Sequence, residues 1–371
     1  MDSITQFALG ASVGMAVLGP KTGARKAALV GGVLGTLPDL DVLWPHDNPV
    51  DAFILHRSVT HSLVIHALAA PLIGEGLRRV FSSLRDAPWL TYAAVFLCFA
   101  THALLDATTI YGTRLFWPLW HEPLALASVF IVDPAYTLPL LGLTVWAMFV
   151  RQWSSGVGRA VAVVLIISTA YLGWAAAAQQ LVLSRAAPLL AGWRIKPEAV
   201  VATPTPFNTL FWRIIAVERA RYINIYMPFF SGPETITAYA HSRWPRRGAC
   251  WVDAALERPG PVRRVAEFAK GFYQIRLSHD DIEMADLRMG LRPNFAFRFA
   301  LAKIDGAEVT ETPPRRTRGA RSSPGDFDWL WAGMQGRRAL RPAEVSLGAV
   351  LSPTTPPAAI PSAEGLCQRK P

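Results

Sequence analysis

Apolar residues in the first half of this chain come in long runs, not in the period-two alternation of a half-buried strand. The runs cover residues 1–19, 24–37, 61–77, 89–105, 124–150 and 160–183. Residues 160–183 carry no charge, so that run alone is long and clean enough to predict a bilayer-spanning helix without further argument. The first two runs are glycine-rich and short, which predicts a closely packed helical pair whose backbones approach each other. Six membrane elements are expected in all. The pattern then changes. WRIIAVE, RYINIYMPFF and FAFRFALAK alternate and are punctuated by proline and glycine, as strands are.

The expected fold class is therefore mainly α: a multi-pass transmembrane helical bundle over residues 1–184, followed by a small β-rich extracytoplasmic domain over 185–310 and a disordered tail over 311–371. Within the β-rich domain, RRVAEFAKG predicts a single short helix ending at Gly271. The tail is expected from segments such as PPRRTRG and SPTTPPAAIPSAEG, which hold too little apolar surface to offset chain entropy. No internal repeat is evident. The N-terminus carries Asp2 and no basic residue before Lys21, so it is expected to be retained and not cleaved as a signal peptide.

Composition agrees with a membrane protein: 51% of the 371 residues are hydrophobic, 17% are charged and the mean hydropathy is +0.26. A net charge of +10 raises the question of nucleic acid. Much of that charge, however, lies in short loops beside apolar runs or in the last sixty residues, which argues for topology and not for a binding groove. Lys21, Arg25 and Lys26, then Arg78, Arg79 and Arg85, then Arg151 and Arg159 occupy every second connection. By the positive-inside rule those loops are cytoplasmic, and the connections 38–60 and 108–123 face outward together with the N-terminus and the C-terminal domain. Cys98, Cys250 and Cys367 are too scattered for a disulfide framework or a thiolate metal site; Cys98 is expected simply to pack in a helix.

Six side chains that avoid lipid sit in or beside these runs: Asp39, Asp41, His56, His61, His102 and Asp106. Ionisable groups in membrane segments default to a functional reading, and imidazoles with carboxylates are the ligand types of zinc, manganese or a pair of divalent ions. PDLD presents two carboxylates after Pro38, which tends to end the preceding helix. HRSVTHS supplies His56 from a loop and His61 from the turn that begins the next helix. HALLD places His102 and Asp106 four residues apart, on one helical face. Each block has an ordinary reading too: solvated acids, weakly spaced histidines, or a His–Asp pair tying helices together. Asp133, in FIVDPAYTLP, is either a further ligand or an orienting group, and Asp2 either approaches the same site or caps the first helix. Arg57 and Arg114 flank the blocks and suit an oxyanion, or are interfacial charges. His66 is expected to bond a helix partner; His46, His121, His241 and His279 are left outside the site, the last two as surface residues. Trp44, Trp117 and Trp120, with Trp89 and Trp153, read as interfacial belts.

The blocks MDSITQ, LPDLDVL, HRSVTHS, HALLDATTIYGTRLFWP and FIVDPAYTLPLL, in that order, resemble the LexA-regulated, inner-membrane-associated metal-dependent hydrolases of bacteria. The resemblance covers about the first 185 residues. It implies a multi-pass inner-membrane hydrolase whose metal ligands match Asp39, Asp41, His56, His61, His102 and Asp106. Many relatives carry a histidine after the early threonine, where this chain has Gln6 after Thr5.

The expected chemistry is hydrolysis by a metal-activated water, with Asp39 or Asp41 as base and Arg57 or Arg114 stabilising the developing charge. The cofactor would be zinc or manganese. The partners expected are membrane lipid and an amphiphilic substrate such as a lipid phosphoester, with no nucleic acid. The alternatives are an ion-coupled transporter, whose site would lie nearer the midplane, and a non-catalytic scaffold with a structural metal.

Overall fold

The computed structural model describes residues 1–245, 248–306 and 308–351. The chain folds into two compact units. The first holds residues 1–44, 56–178 and 206–208; the second holds 45–55, 179–205 and 209 onward. The chain thus leaves the first unit after Trp44 and re-enters it at His56.

The helices of this half run in order α1 (Ser3–Thr22), α2 (Ala24–Thr36), α3 (Pro49–Leu55), α4 (Leu63–Val80), α5 (Pro88–Ala107), α6 (Pro134–Phe149) and α7 (Ser155–Gly192). Of these, α1, α5 and α7 are long and apolar enough to cross a membrane. α7, with 38 residues, is about 57 Å long at roughly 1.5 Å per residue, well beyond a hydrocarbon core of about 30 Å. It continues through 185–192, where the sequence pattern predicts the start of the β-rich domain. The run at 124–150 yields a helix only from Pro134, because Asp133 caps it and the preceding residues are spent elsewhere. Leu126 N and Ser128 N donate to Ala107 O and Thr108 O, carbonyls that the end of α5 leaves without helical partners.

α1 and α2 pack through glycines. A Cβ at Gly14 would lie 2.6 Å from Ala27 O, and one at Gly35 would lie 2.6 Å from Gln6 O and 2.8 Å from the α-carbon of Gly10. No side chain fits between these backbones. Around this pair the core is filled by Leu9, Val13, Leu34, Val95, Phe99 and Leu140. Cys98 is buried and free, as expected.

In the second unit, β1 (Ala199–Pro204), β2 (Phe211–Val217), β3 (Arg221–Pro228) and β4 (Thr237–Ser242) precede α8 (Ala249–Glu257) and α9 (Pro261–Phe268). Then come β5 (Tyr273–Ser278), β6 (Asp281–Asp286), β7 (Gly290–Leu291), β8 (Asn294–Phe295), β9 (Arg298–Asp305) and β10 (Glu308–Arg316). The C-terminal elements are α10 (Asp326–Met334), α11 (Pro342–Val345) and β11 (Ala349–Leu351). One antiparallel sheet has the order β1-β2-β3-β4-β11, a second β10-β9-β6-β5, and β7-β8 form a ribbon. Two helices, not one, separate the two sheets in sequence. Phe53 of α3 packs in this unit, 4.6 Å from Phe268 and 4.3 Å from Phe297 between ring centres.

The disorder expected from residue 311 does not hold through 351. β10 pairs with β9, and Trp329 of α10 sits 5.0 Å from Phe211 and 4.9 Å from Tyr226. The buried Glu344 carboxylate accepts from Asn224 Nδ2 at 3.0 Å, from the Tyr226 hydroxyl and from His241 Nε2 at 2.6 Å. Arg341 is held by Asp326 at 2.8 and 2.9 Å. A few anchoring side chains therefore dock a segment whose composition is poor in apolar residues, and His241, expected at the surface, is fully buried as one of their partners. Residues 352–371, the rest of the expected tail, lie outside the described residues, as does Cys367.

Candidate metal centre

Four of the six expected ligands converge. Asp39, His61, His102 and Asp106 each offer a donor atom, all within 4.8 Å of one another. Asp39 comes from a 3-10 turn over Leu37–Leu43, His61 from a second short turn over Val59–His61, and His102 with Asp106 from the end of α5. The two Nε2 atoms are 3.1 Å apart. His61 Nε2 lies 3.4 Å from Asp39 Oδ1 and 3.3 Å from Asp106 Oδ2, and His102 Nε2 lies 3.5 Å from each of the same oxygens. A tetrahedral ion with bonds of about 2.0–2.1 Å has ligand–ligand edges of about 3.3–3.4 Å. Five of the six edges here are thus close to that length.

Hydrogen bonds fix which nitrogen faces inward. Gly35 O can only accept, so His102 Nδ1–H donates to it at 2.6 Å and Nε2 carries its lone pair into the cluster. The Thr60 hydroxyl donates to Asp41 Oδ2 at 3.1 Å, leaving its oxygen to accept from His61 Nδ1–H at 3.0 Å. In the neutral ring His61 Nε2 then also turns its lone pair into the cluster. Two lone pairs and two carboxylate oxygens then face one small space, and Asp106 Oδ2 is buried with no hydrogen-bond partner. Arg57 Nε, 3.1 Å from Asp106 Oδ2, and the Met1 ammonium at Oδ1 offset the Asp106 charge, whereas the inward lone pairs of the two imidazoles are left without a cation, which is costly. The donor set fits a divalent ion, and in its absence a proton is the cation that fits. Burial opposes ionisation of Asp39, and a proton on the neighbouring Nε2 atoms of His102 and His61 would hold its carboxyl well below the usual range.

Asp41 and His56 are not part of the four. They face each other, Asp41 Oδ1 to His56 Nδ1 at 2.9 Å. A 3-10 turn has three residues per revolution, so Asp39 and Asp41, two apart, point in different directions and only one can reach the cluster. Asp41 instead fixes the loop behind His61, accepting from Thr60 and from Arg57 N at 3.0 Å. Burial would raise its pKa, but the His56 hydrogen bond and charge lower it.

Arg57 is nearly buried, with Nε 3.1 Å from Asp106 Oδ2 and Nη1 donating to Thr109 Oγ1 at 3.1 Å. Its φ of 60° is a left-handed value that costs a non-glycine residue about 1–2 kcal/mol. The strain is held in place by its two backbone bonds, from its N–H to Asp41 and from Arg114 N to its carbonyl at 3.1 Å. Arg114 is turned to the same loop, where its Nη1 donates to Ser58 Oγ at 3.2 Å. Asp133 is a helix cap, accepting from Ala135 N at 3.0 Å and from the Tyr171 hydroxyl at 2.7 Å, and Asp2 caps α1 through Ile4 N and Thr5 N. His66 bonds Thr60 O at 2.7 Å, a helix-start partner as expected.

Two further supports carry no motif of their own. Gln6 donates to Asp106 Oδ1 at 3.1 Å and to His102 O at 3.3 Å, and Met1 N also contacts Asp106 Oδ1. Gly35 supplies its carbonyl to His102. The departure at Gln6 is visible in the sequence; a backbone acceptor has no residue-type signature.

Apolar helices long enough for a bilayer, joined to a His2Asp2 cluster of which three members are buried, define a membrane-type helical protein with a candidate metal centre. Residues 1–182 match the model of a family described as YdjM inner membrane protein, and that stretch of the chain is similar to it. The match, with the apolar helices, supports an inner-membrane protein. Neither the curated proteins nor the solved structures yield a match.

Proposed function

We propose that the chain is a membrane-bound metal-dependent hydrolase of the bacterial inner membrane, multi-pass, with its metal centre and C-terminal domain on the periplasmic side. The observation that carries this reading is the near-tetrahedral set of donor spacings, 3.1–3.5 Å, between Asp39, His61, His102 and Asp106. Those spacings favour zinc over an ion that prefers six oxygen ligands. Such an ion, when bound, lowers the pKa of a coordinated water to about 7 and so supplies hydroxide.

The chain's own residues then have separable roles. His61, His102 and Asp106 are almost fully buried and hold the site, whereas the Asp39 side chain is 20% exposed and marks its open side. Asp39 is the group placed to accept a proton from water entering there. Arg57, beside Asp106, balances the buried carboxylate and offers its guanidinium to an oxyanion. On the same 3-10 turn as Asp39 and just after it, the side chains of Leu40, Val42, Leu43 and Trp44 are exposed. An apolar rim beside an acidic opening suits an amphiphile whose head group enters while its tail stays in lipid, and a lipid phosphoester is the substrate class that follows.

A structural metal is the second reading, because four protein donors can close a tetrahedral site. Asp39→Ala separates the two. In a catalytic centre, zinc stays bound with modest loss of affinity while phosphoester hydrolysis in detergent–lipid micelles disappears; in a structural one, zinc and thermal stability are lost together. Full hydrolysis by Asp39→Ala would refute the proposed role of Asp39.

A further inference from the structure

The second unit contains an open cavity of about 350 Å3, remote in sequence from the metal ligands. Its apolar wall is made by Trp244, Ile275, Leu277 and Leu347. Its polar wall is made by Ser242, Gln274, Arg276 and Arg292 and, among the described residues, includes no carboxylate. That volume is at the small end of organic-ligand sites, which are mostly apolar with a few placed polar groups.

Three of the four polar residues are already satisfied within the unit. The Ser242 hydroxyl donates to Trp244 O at 2.9 Å, and Gln274 Nε2 donates to Ser242 O at 2.9 Å. Arg276 is neutralised by Glu283, with contacts of 2.8 and 2.6 Å. Arg292 differs. Its Nη1 donates to the Tyr222 hydroxyl at 2.9 Å, which fixes one edge of the guanidinium, while its Nε is buried and has no hydrogen-bond partner. Among the described residues no carboxylate pairs with it. A fixed planar cation with an unpaired Nε, in a cavity lined by no acid among the described residues, is the arrangement that grips a planar or tetrahedral oxyanion.

We infer that this cavity binds a small organic oxyanion, a carboxylate or phosphate ester carrying a compact apolar body, with Arg292 holding the anion and Trp244, Ile275, Leu277 and Leu347 covering the rest. The charged end sits against Arg292, and the body displaces water from the apolar wall. The site is independent of the metal centre, which belongs to the other unit.

The test is calorimetric titration of phenyl phosphate into the full chain in detergent, stripped of metal with a chelator. Saturable one-to-one binding is expected, with phenol giving none and inorganic phosphate binding more weakly. Arg292→Gln is expected to weaken binding at least tenfold, and His102→Ala to leave it unchanged. Should Arg292→Gln fail to fold, Leu347→Asp provides the same test: it leaves the Arg292–Tyr222 bond intact, puts a competing carboxylate at the wall, and is likewise expected to cost at least tenfold. The proposal is overturned by an absence of saturable binding up to about 10 mM, by wild-type affinity in the folded variants, or by binding that His102→Ala abolishes and Arg292→Gln does not.

Discussion

Replacing Gly35 by alanine perturbs the metal centre without touching any of its donor atoms. The added methyl would sit 2.6 Å from Gln6 O and 2.8 Å from the α-carbon of Gly10, where ordinary contact begins at 3.4 Å. Both obstacles are backbone, so the helices must part by roughly 0.8 Å, and overpacking of this kind costs about 1–3 kcal/mol. The same movement acts on the carbonyl that orients His102, now 2.6 Å from Nδ1, and on the helix that carries Gln6 to Asp106. A shift of that size takes the hydrogen bond to about 3.4 Å, beyond useful geometry. Losing an outer partner of a ligating imidazole weakens metal binding about 10–100-fold. Competitive zinc titration against a chromophoric chelator, alongside thermal melts in the same detergent, measures both effects. Gly142→Ala in α6 is the control, since a Cβ there meets nothing within 4 Å. Wild-type zinc affinity in Gly35→Ala, or an equal loss in Gly142→Ala, would refute the reasoning.

Asp41→Asn leaves all four donors in place but disturbs the Thr60 hydroxyl that fixes the His61 tautomer; zinc affinity is expected to fall about 10–100-fold without a change of stoichiometry, as read by the same titration. Asp133→Asn is expected to cost no more than about 1 kcal/mol of stability through the weakened α6 cap and to leave zinc affinity at the wild-type value; a loss of zinc would return Asp133 to the site. Acid should loosen the C-terminal segment of the second unit. Burial opposes the Glu344 charge, yet the His241 hydrogen bond and the neighbouring Arg213 hold its pKa down at about 2, and burial lowers that of His241 despite Glu344. Both folded values lie below the unfolded ones, so the unfolded chain binds more protons and stability falls as pH drops, first below about 6.5 for His241 and then from about 4.5 toward 2 for Glu344. The melting temperature of the β-sheet signal should decline through that window, and Glu344→Gln should flatten the lower part of the decline; a pH-independent melt contradicts the assignment.

How far the sequence reveals this arrangement depends on whether the contact is local. His102 and Asp106 share a helical face because four residues make about one turn, so HALLD alone indicates their meeting. Asp39 and Asp41 are equivalent by residue type, and only the 3-10 geometry of their turn directs one toward the cluster and the other toward His56. The Glu344–His241 pair spans 103 residues and leaves no local trace, so composition assigns one end to a tail and the other to the surface. The excursion through α3 is hidden for a similar reason: Phe53 packs on Phe268 and Phe297, which lie more than two hundred residues away along the chain. The glycine contacts between α1 and α2 follow from composition, but the use of Gly35 O as an acceptor for His102 requires the packed pair.

The most direct measurement is elemental analysis of detergent-purified protein after metal stripping, reloading with zinc and desalting, on the wild type and on His102→Ala and Asp106→Ala. One zinc per chain in the wild type and none in either variant is the expected result. A wild-type chain that retains no stoichiometric ion, or variants that retain it in full, would contradict the claim that these imidazoles and carboxylates form a single metal centre.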